Sequence, residues 1–326
     1  MCTADCNNSQ NESSSLHQLQ LVSSVSLRKD LSLAITQIFV WPFVYINVLM
    51  LFTFYSKQSF RTETRYILFA HTLLTDVIIL ILTDFVVILS YSSVLMPMAF
   101  CIPLCMLMET VSTCTPLTIT AMCVERYVAI CMPLRHSAIS TTSRTLTAIL
   151  IIWIISYIFP FMDVFILVAT VSQEYFLEPT FCYYEIMTPE QWHRTMREIM
   201  NISFFIIILL TEFFCYLMIV LAVRTATVDK ISAGKGLRTI SLHMFQLILC
   251  SLEIIYSHIE EVIIELDILL YQSLRSFNFI TFSVIARAVS PLVYGLRDEK
   301  FYAALLYYMK CKQNHISSEN RRPITL

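Results

Sequence analysis

The chain has 326 residues, 57% hydrophobic and 13% aromatic, with only 14% charged and a net charge of -2. Soluble domains carry roughly 25% charged residues, so this much apolar surface has to face lipid rather than water. The near-neutral balance argues against nucleic acid or another polyanionic partner. Eleven cysteines occur with no C-x-x-C pair and no histidine at zinc-like spacing, so neither a metal site nor any other cofactor is expected.

From the start of the chain, Met1 to Asp30 is polar and lacks the apolar core of a cleavable signal peptide. It holds two glycosylation acceptors, Asn7 in Asn7-Asn8-Ser9 and Asn11 in Asn11-Glu12-Ser13. Seven apolar runs follow, each near the 20 or so residues that a bilayer-crossing helix needs. They are roughly Leu31–Tyr55, Tyr66–Ser92, Ala99–Cys123, Leu146–Thr170, Ile199–Val223, Ile240–Ile264 and Phe277–Leu296. The expected fold is an all-α membrane protein: a tail over 1–30, a seven-helix bundle over 31–296, and a helix and tail over 297–326. Connections are short apart from one of about thirty residues between spans 4 and 5. Asn201-Ile202-Ser203 is a third acceptor sequence, but it falls within span 5.

Seven spans put the termini on opposite sides, and basic residues decide which is which. One set of connections and the C-terminus hold sixteen of the 22 Lys and Arg, including Lys57, Arg61, Arg126, Arg135, Arg224, Lys235, Arg238 and Lys300. The other set holds five: Arg28, Lys29, Arg194, Arg197 and Arg275. The first set is therefore read as cytoplasmic and the N-terminus as extracellular, the side on which the acceptors at Asn7 and Asn11 belong. Cys101, opening span 3, and Cys182, in the long loop, both face that oxidising side, where a disulfide would tie the loop over the bundle. Beyond span 7, Asp298 to Lys312 reads as an amphipathic helix lying on the inner leaflet, with Cys311 open to palmitoylation.

Ionisable residues inside a span are disfavoured by about 2.5–3.5 kcal/mol even on lenient insertion scales, so they turn inward, pair or lose their charge. Asp76, Asp84, Glu109, Glu212, Glu253 and Arg287 are such residues. Arg287 is the single deep base and needs a carboxylate; Asp76, at similar depth, is the preferred partner. Pro42, Pro116, Pro160 and Pro291 each remove a helix hydrogen bond and permit a kink. With three glycines in the chain, Pro291 is the favoured hinge.

At the end of span 3 the sequence reads Met122-Cys123-Val124-Glu125-Arg126-Tyr127-Val128-Ala129-Ile130-Cys131-Met132-Pro133-Leu134-Arg135-His136. This resembles the odorant-receptor signature M-x-x-(D/E)-R-Y-V-A-I-C-x-P-L-x-(Y/H), within the rhodopsin-like G-protein-coupled receptors, and its Glu and Pro-Leu-Arg-His ending resemble fish-type members. Lys235-Gly236-Leu237-Arg238-Thr239-Ile240-Ser241-Leu242-His243 is similar to the family's K-A-x-x-T-C-x-S-H, and Ser290-Pro291-Leu292-Val293-Tyr294-Gly295-Leu296-Arg297 to N-P-x-I-Y-S-L-R. Asn47, Asp76, Trp153 and Tyr216 stand where the family carries such residues. The chain departs from the pattern at Ser290 in place of Asn, at Cys250-Ser251-Leu252 in place of an aromatic F-Y-G, in the single loop cysteine, and at Arg287 in the polar centre.

The resemblance implies a switch in which Glu125 holds Arg126 until span 6 moves out and Arg126 meets a heterotrimeric G protein of the olfactory, stimulatory type. Tyr127, Tyr216, Lys235, His243 and Tyr294 would surround it. Asn47, Asp76, Arg287, Ser290 and Pro291 would form the polar core, and Cys101 and Cys182 the family's disulfide. A small-molecule odorant would bind among Met108, Glu109, Ser112, Thr113, Phe204, Ser251, Ile255, His258 and Ser283. Val284 replaces the lysine of an opsin, and Met108 the aspartate of an aminergic receptor; Glu109, one residue on, is an alternative reader of a cationic group. Multi-pass insertion in the plasma membrane follows. A non-olfactory rhodopsin-like receptor is the other reading. A transporter would need repeats or glycine-rich half-helices that are absent here, and no enzyme motif is present.

Overall fold

In lipid every backbone N–H and C=O has to be satisfied within the chain, so long apolar runs become helices. The computed structural model describes residues 30–31, 33–92, 94–182, 184–224 and 300–308, with single positions 241, 245, 248, 277, 278, 281, 284, 285 and 287. Among these residues five helices are long and apolar enough to cross a membrane. They are α1 (Leu33–Ser56), α3 (Thr64–Tyr91), α4 (Met98–Cys131), α6 (Thr142–Thr170) and α7 (Gln191–Arg224), of which Gln191–Ala222 is the candidate span. Short helices α2 (Gln58–Thr62) and α5 (Pro133–Ile139) make two of the turns between them. The expected spans 6 and 7 lie mostly outside the described residues.

Two of the boundaries have a clear local cause. Pro133 suits the first turn of α5, where its missing N–H is not needed. The Thr141 hydroxyl caps α6 by accepting from Arg144 N at 3.4 Å. Pro103 and Pro116 lie inside α4 and Pro160 inside α6, so these helices continue past their prolines. Threonine hydroxyls fold back onto carbonyls four residues earlier, as Thr110 does to Met106 O at 2.7 Å and Thr120 to Pro116 O at 2.9 Å. In lipid this satisfies a hydroxyl that has no water to bond.

α4 is the central helix, packed against α3, α6 and α7. The outward faces of α6 and α7 are apolar: Leu150, Ile154, Phe161 and Phe165 on one, Ile199, Ile206, Leu210 and Phe213 on the other, are all exposed. Such a surface would drive aggregation in water and is the expected one against acyl chains. Polar residues turn inward, with Asn47, Asp76 and Glu212 fully buried. At one end of the bundle Phe60, Tyr66, Phe69 and Phe301 form an aromatic knot that seats the helical residues 300–308. Phe301, Ala304 and Leu305 are its buried stripe.

The expected start of span 5 needs correction. The helix begins at Gln191, two turns before Ile199, so the connection from span 4 is residues 171–190 rather than about thirty. Arg194 and Arg197, read as loop charges, lie on α7. A hydropathy run stops at the first polar turns, whereas the helix continues through them and Arg197 finds carboxylate partners in the bundle.

Candidate functional site

At the end of α4 that carries the signature, Arg126 Nε stands 3.5 Å from Glu125 Oε2, and His136 Nε2 of α5 stands 3.5 Å from Glu125 Oε1. Both contacts are longer than the 2.7–2.9 Å of a tight charge-assisted bond, so Glu125 holds its partners loosely. α5 is fixed by Thr64 Oγ1 against Ser140 Oγ at 2.9 Å, and its exit by Thr142 Oγ1 donating to Thr62 O at 3.1 Å. Tyr127 and Tyr216 pack together on a cluster of Cys123, Cys215 and Ile219. One turn before Tyr216, the buried Glu212 has Thr120 Oγ1 3.5 Å from its Oε1.

In the middle of the bundle, Arg287 Nε lies 4.0 Å from Asp76 Oδ1, and both side chains are almost wholly buried. Val284, one turn before Arg287, packs with Val40, Val44, Val77 and Leu80 of α1 and α3. Asp84, also buried, accepts a hydrogen bond from Gln37, whose own carbonyl accepts from Trp41 Nε1 at 2.7 Å. His71 joins three helices. Trp153 Nε1 donates to its Nε2 at 2.9 Å, which leaves the ring hydrogen on Nδ1 to meet Thr118 Oγ1 at 3.0 Å. Sequence reading assigned nothing to His71.

At the opposite end, Cys101 in the first turn of α4 is disulfide-bonded to Cys182, with Cα atoms 5.1 Å apart. Met96–Pro97 (β1) pairs antiparallel with Pro179–Thr180 (β2), and Met98 N donates to Glu178 O at 3.1 Å. The loop thereby folds onto Met98, Ile102, Cys105 and Leu167 through Ile186 and Met187.

Beneath this loop a charged cluster forms that sequence reading missed. Asp163 of α6 accepts from Tyr184 Oη at 2.5 Å and from His193 Nε2 at 2.8 Å. Arg197 bridges it to α4: Nη2 lies 2.9 Å from Glu109 Oε1, Nη1 lies 3.6 Å from Asp163 Oδ2, and the guanidinium carbon lies 3.3 Å from the Tyr184 ring centroid. Burial, then the nearby Glu109 carboxylate, push the Tyr184 phenol above its ordinary range, Arg197 opposing and Asp163 adding to the rise. Phe159, Met162, Met196 and Met200 line a crevice whose polar walls are Asp163 and Arg197.

Of the expected ligand residues, Met108, Glu109, Ser112 and Thr113 are all half-buried on α4, and their spacing places them along one stripe. Glu109 is engaged by Arg197. Phe204 of α7 meets Phe159 edge-on, with centroids 5.7 Å apart. Asn7, Asn11, Lys235, His243, Ser251, Ile255, His258, Ser283, Ser290, Pro291 and Tyr294 lie outside the described residues. Asp163 carried a signal that went unused, a lone aspartate within an apolar run, to which the rule for charges inside spans applies directly.

The helices, the buried ionisable residues between them, and the disulfide at one end with Glu125-Arg126-Tyr127 at the other define a membrane receptor of one kind. The chain belongs to the 7 transmembrane receptor (rhodopsin family), whose sequence profile matches residues 46–294. It is 39% identical to Odorant receptor 131-2 of Danio rerio over 285 residues, 87% of each chain, and so falls with the odorant receptors within that family. Shorter likenesses reach other receptors: 32% identity to the Pyrokinin-1 receptor of Drosophila melanogaster over 40% of this chain and 32% of that one, and 47% to the Growth hormone secretagogue receptor type 1 of Rattus norvegicus over 15% of this chain and 14% of that one. Proteins of this family are receptors rather than enzymes.

Proposed function

We propose that the chain detects a small-molecule odorant at the plasma membrane and activates a heterotrimeric G protein of the stimulatory, olfactory type. The observation that carries this reading is the likeness to an odorant receptor along 87% of both chains. In this reading residues 1–30 form an extracellular tail glycosylated at Asn7 and Asn11, 31–296 the bundle, and 297–326 the cytoplasmic helix and tail. The excess of Lys and Arg on the Arg126 side supports that orientation.

The odorant binds between spans 3, 5, 6 and 7, against Met108, Ser112 and Thr113, with Phe204, Ser251, Ile255, His258 and Ser283 completing the wall. Glu109 acts through Arg197 rather than as a lone carboxylate awaiting an amine, because its 2.9 Å partner already meets its charge. Binding shifts the population toward a state in which Arg126 leaves Glu125. The loose 3.5 Å contacts of Glu125 with Arg126 and His136 suit a group that has to let go. Tyr127, Tyr216, Lys235, His243 and Tyr294 surround Arg126 when the G protein docks. The core of Asn47, Asp76, Arg287, Ser290 and Pro291 relays the motion.

The test is a cyclic-AMP reporter in cells expressing the chain, screened against amino acids, amines, bile acids and volatile odorants. A dose-dependent rise that Arg126→Ala abolishes without loss of surface protein supports the reading. A rise that survives Arg126→Ala at equal surface level overturns the switch. Responses confined to peptides or lipids overturn the odorant assignment and leave a rhodopsin-like receptor of another kind.

A further inference from the structure

The Asp163 cluster brings one more carboxylate than guanidinium into contact. Glu109 and Asp163 bring two carboxylates, and Arg197 brings one guanidinium that does not deprotonate. Tyr184 contributes a neutral phenol. Asp163 is 6%, Arg197 14% and Glu109 24% exposed, so a negative charge left on Asp163 is the costly one. His193 is the group placed to cancel it. Its side chain is 1% exposed, its Nε2 faces Asp163 at 2.8 Å, and its Nδ1 has no hydrogen-bond partner among the described residues. A proton can therefore be added at Nδ1 without breaking any described hydrogen bond, turning the contact with Asp163 into an ion pair. The titratable and charged groups around the ring are Asp163 from α6, Tyr184 from the loop, Glu109 from α4, and Arg197 on its own helix; Arg194 and Glu198 on that helix, and Glu190 just before it, flank it in sequence.

We propose that His193 is a proton-binding site through which acidity on the disulfide side sets the stability and response of the receptor. The protonated ring closes a neutral cluster that ties α4, α6 and α7 to the disulfide-bearing loop. Loss of the proton leaves one uncompensated charge beneath that loop and loosens the tie. Acid therefore clamps this end of the bundle and alkali releases it. That this side is external rests on the orientation proposed above; the stability effect does not.

Thermal unfolding of the purified receptor in detergent between pH 5.5 and 8 tests the site. The midpoint is expected to fall with rising pH by about 2 °C, the low end of the shifts that small stability changes produce in large domains. His193→Gln keeps a donor for Asp163 but cannot titrate, and it flattens the profile. Glu109→Gln removes one carboxylate, leaving Arg197 and Asp163 balanced without the ring proton, and flattens it too. His136→Gln, at the other end beside Glu125, leaves the slope in place. In cells, basal reporter signal changes between external pH 6 and 8 in the parent and not in His193→Gln. A slope that survives both His193→Gln and Glu109→Gln, or that vanishes in His136→Gln instead, overturns the proposal. Should His193→Gln fail to reach the surface, Glu109→Gln alone decides. A stability slope without a cellular one keeps the site and overturns its external placement.

Discussion

Removing one member of the Asp76 and Arg287 contact is the most informative single perturbation of the bundle. At 4.0 Å the two charges attract by about 4 kcal/mol at an effective dielectric of about 20. Neither side chain is more than 4% exposed, so solvent screening discounts little of this. Breaking a buried pair by removing one member costs more, about 3–5 kcal/mol. The two deletions are unequal, since a buried carboxylate relieves its charge by taking up a proton and a guanidinium cannot. Asp76→Asn is therefore expected to lose more surface receptor than Arg287→Met, and the reciprocal Asp76→Arg with Arg287→Asp to recover part of the loss. Flow cytometry of an epitope-tagged chain reads surface level. Thiol-reactive dye uptake during heating reads unfolding through Cys105, Cys114, Cys123 and Cys215, all buried in the folded bundle. A neutral Asp76→Asn, or a double exchange no better than the worse single, refutes the ion-pair reasoning.

Cys182→Ser opens a loop whose ends are 81 residues apart, for which chain entropy gives a ceiling of about 4–5 kcal/mol; Cys101→Ser and the double variant should match it in thermal midpoint, and an additive double would refute a shared bond. Tyr184→Phe removes the hydroxyl from Asp163 and should cost about 1.5–3 kcal/mol at neutral pH, as for a hydrogen bond to a charged group. Because the folded phenol is pushed up from its ordinary value near 10, the advantage of the parent over Tyr184→Phe is full below about pH 10 and should narrow above it; a gap that widens there would refute the assignment. Trp153→Phe strands His71 Nε2 and should cost about 1–3 kcal/mol, read as a lower midpoint, whereas Trp153→Phe with His71→Leu should cost less.

Five spans were legible because each is a long apolar run bounded by charge or proline, and lipid leaves such a run one backbone solution. The start of α7 was not, since Gln191, His193, Arg194 and Arg197 read as loop to any measure of hydropathy. That error hid the site at this end: with Arg197 assigned to a loop, Glu109 had no visible partner, and Asp163 lay 30 and 34 residues from His193 and Arg197 with no pattern linking them. Glu125-Arg126-Tyr127, in contrast, is contiguous, and a contiguous motif can be seen without knowing the fold. Asp76 and Arg287 fall between these cases. Their separation in sequence says nothing, but a lone deep base poses a question that few carboxylates can answer.

α4 and α7 are each 34 residues long, about 51 Å at 1.5 Å per residue, against a hydrocarbon layer about 30 Å thick. About 20 Å of each helix therefore stands outside the acyl chains. Each is a lever longer than its fulcrum: a tilt of about 5° around mid-membrane moves an end about 25 Å away by about 2 Å. On α4 one such end carries Cys101 and the other Arg126. A displacement of that size is large enough to stretch the 3.5 Å contact between Glu125 on α4 and His136 on α5 past the reach of an ion pair.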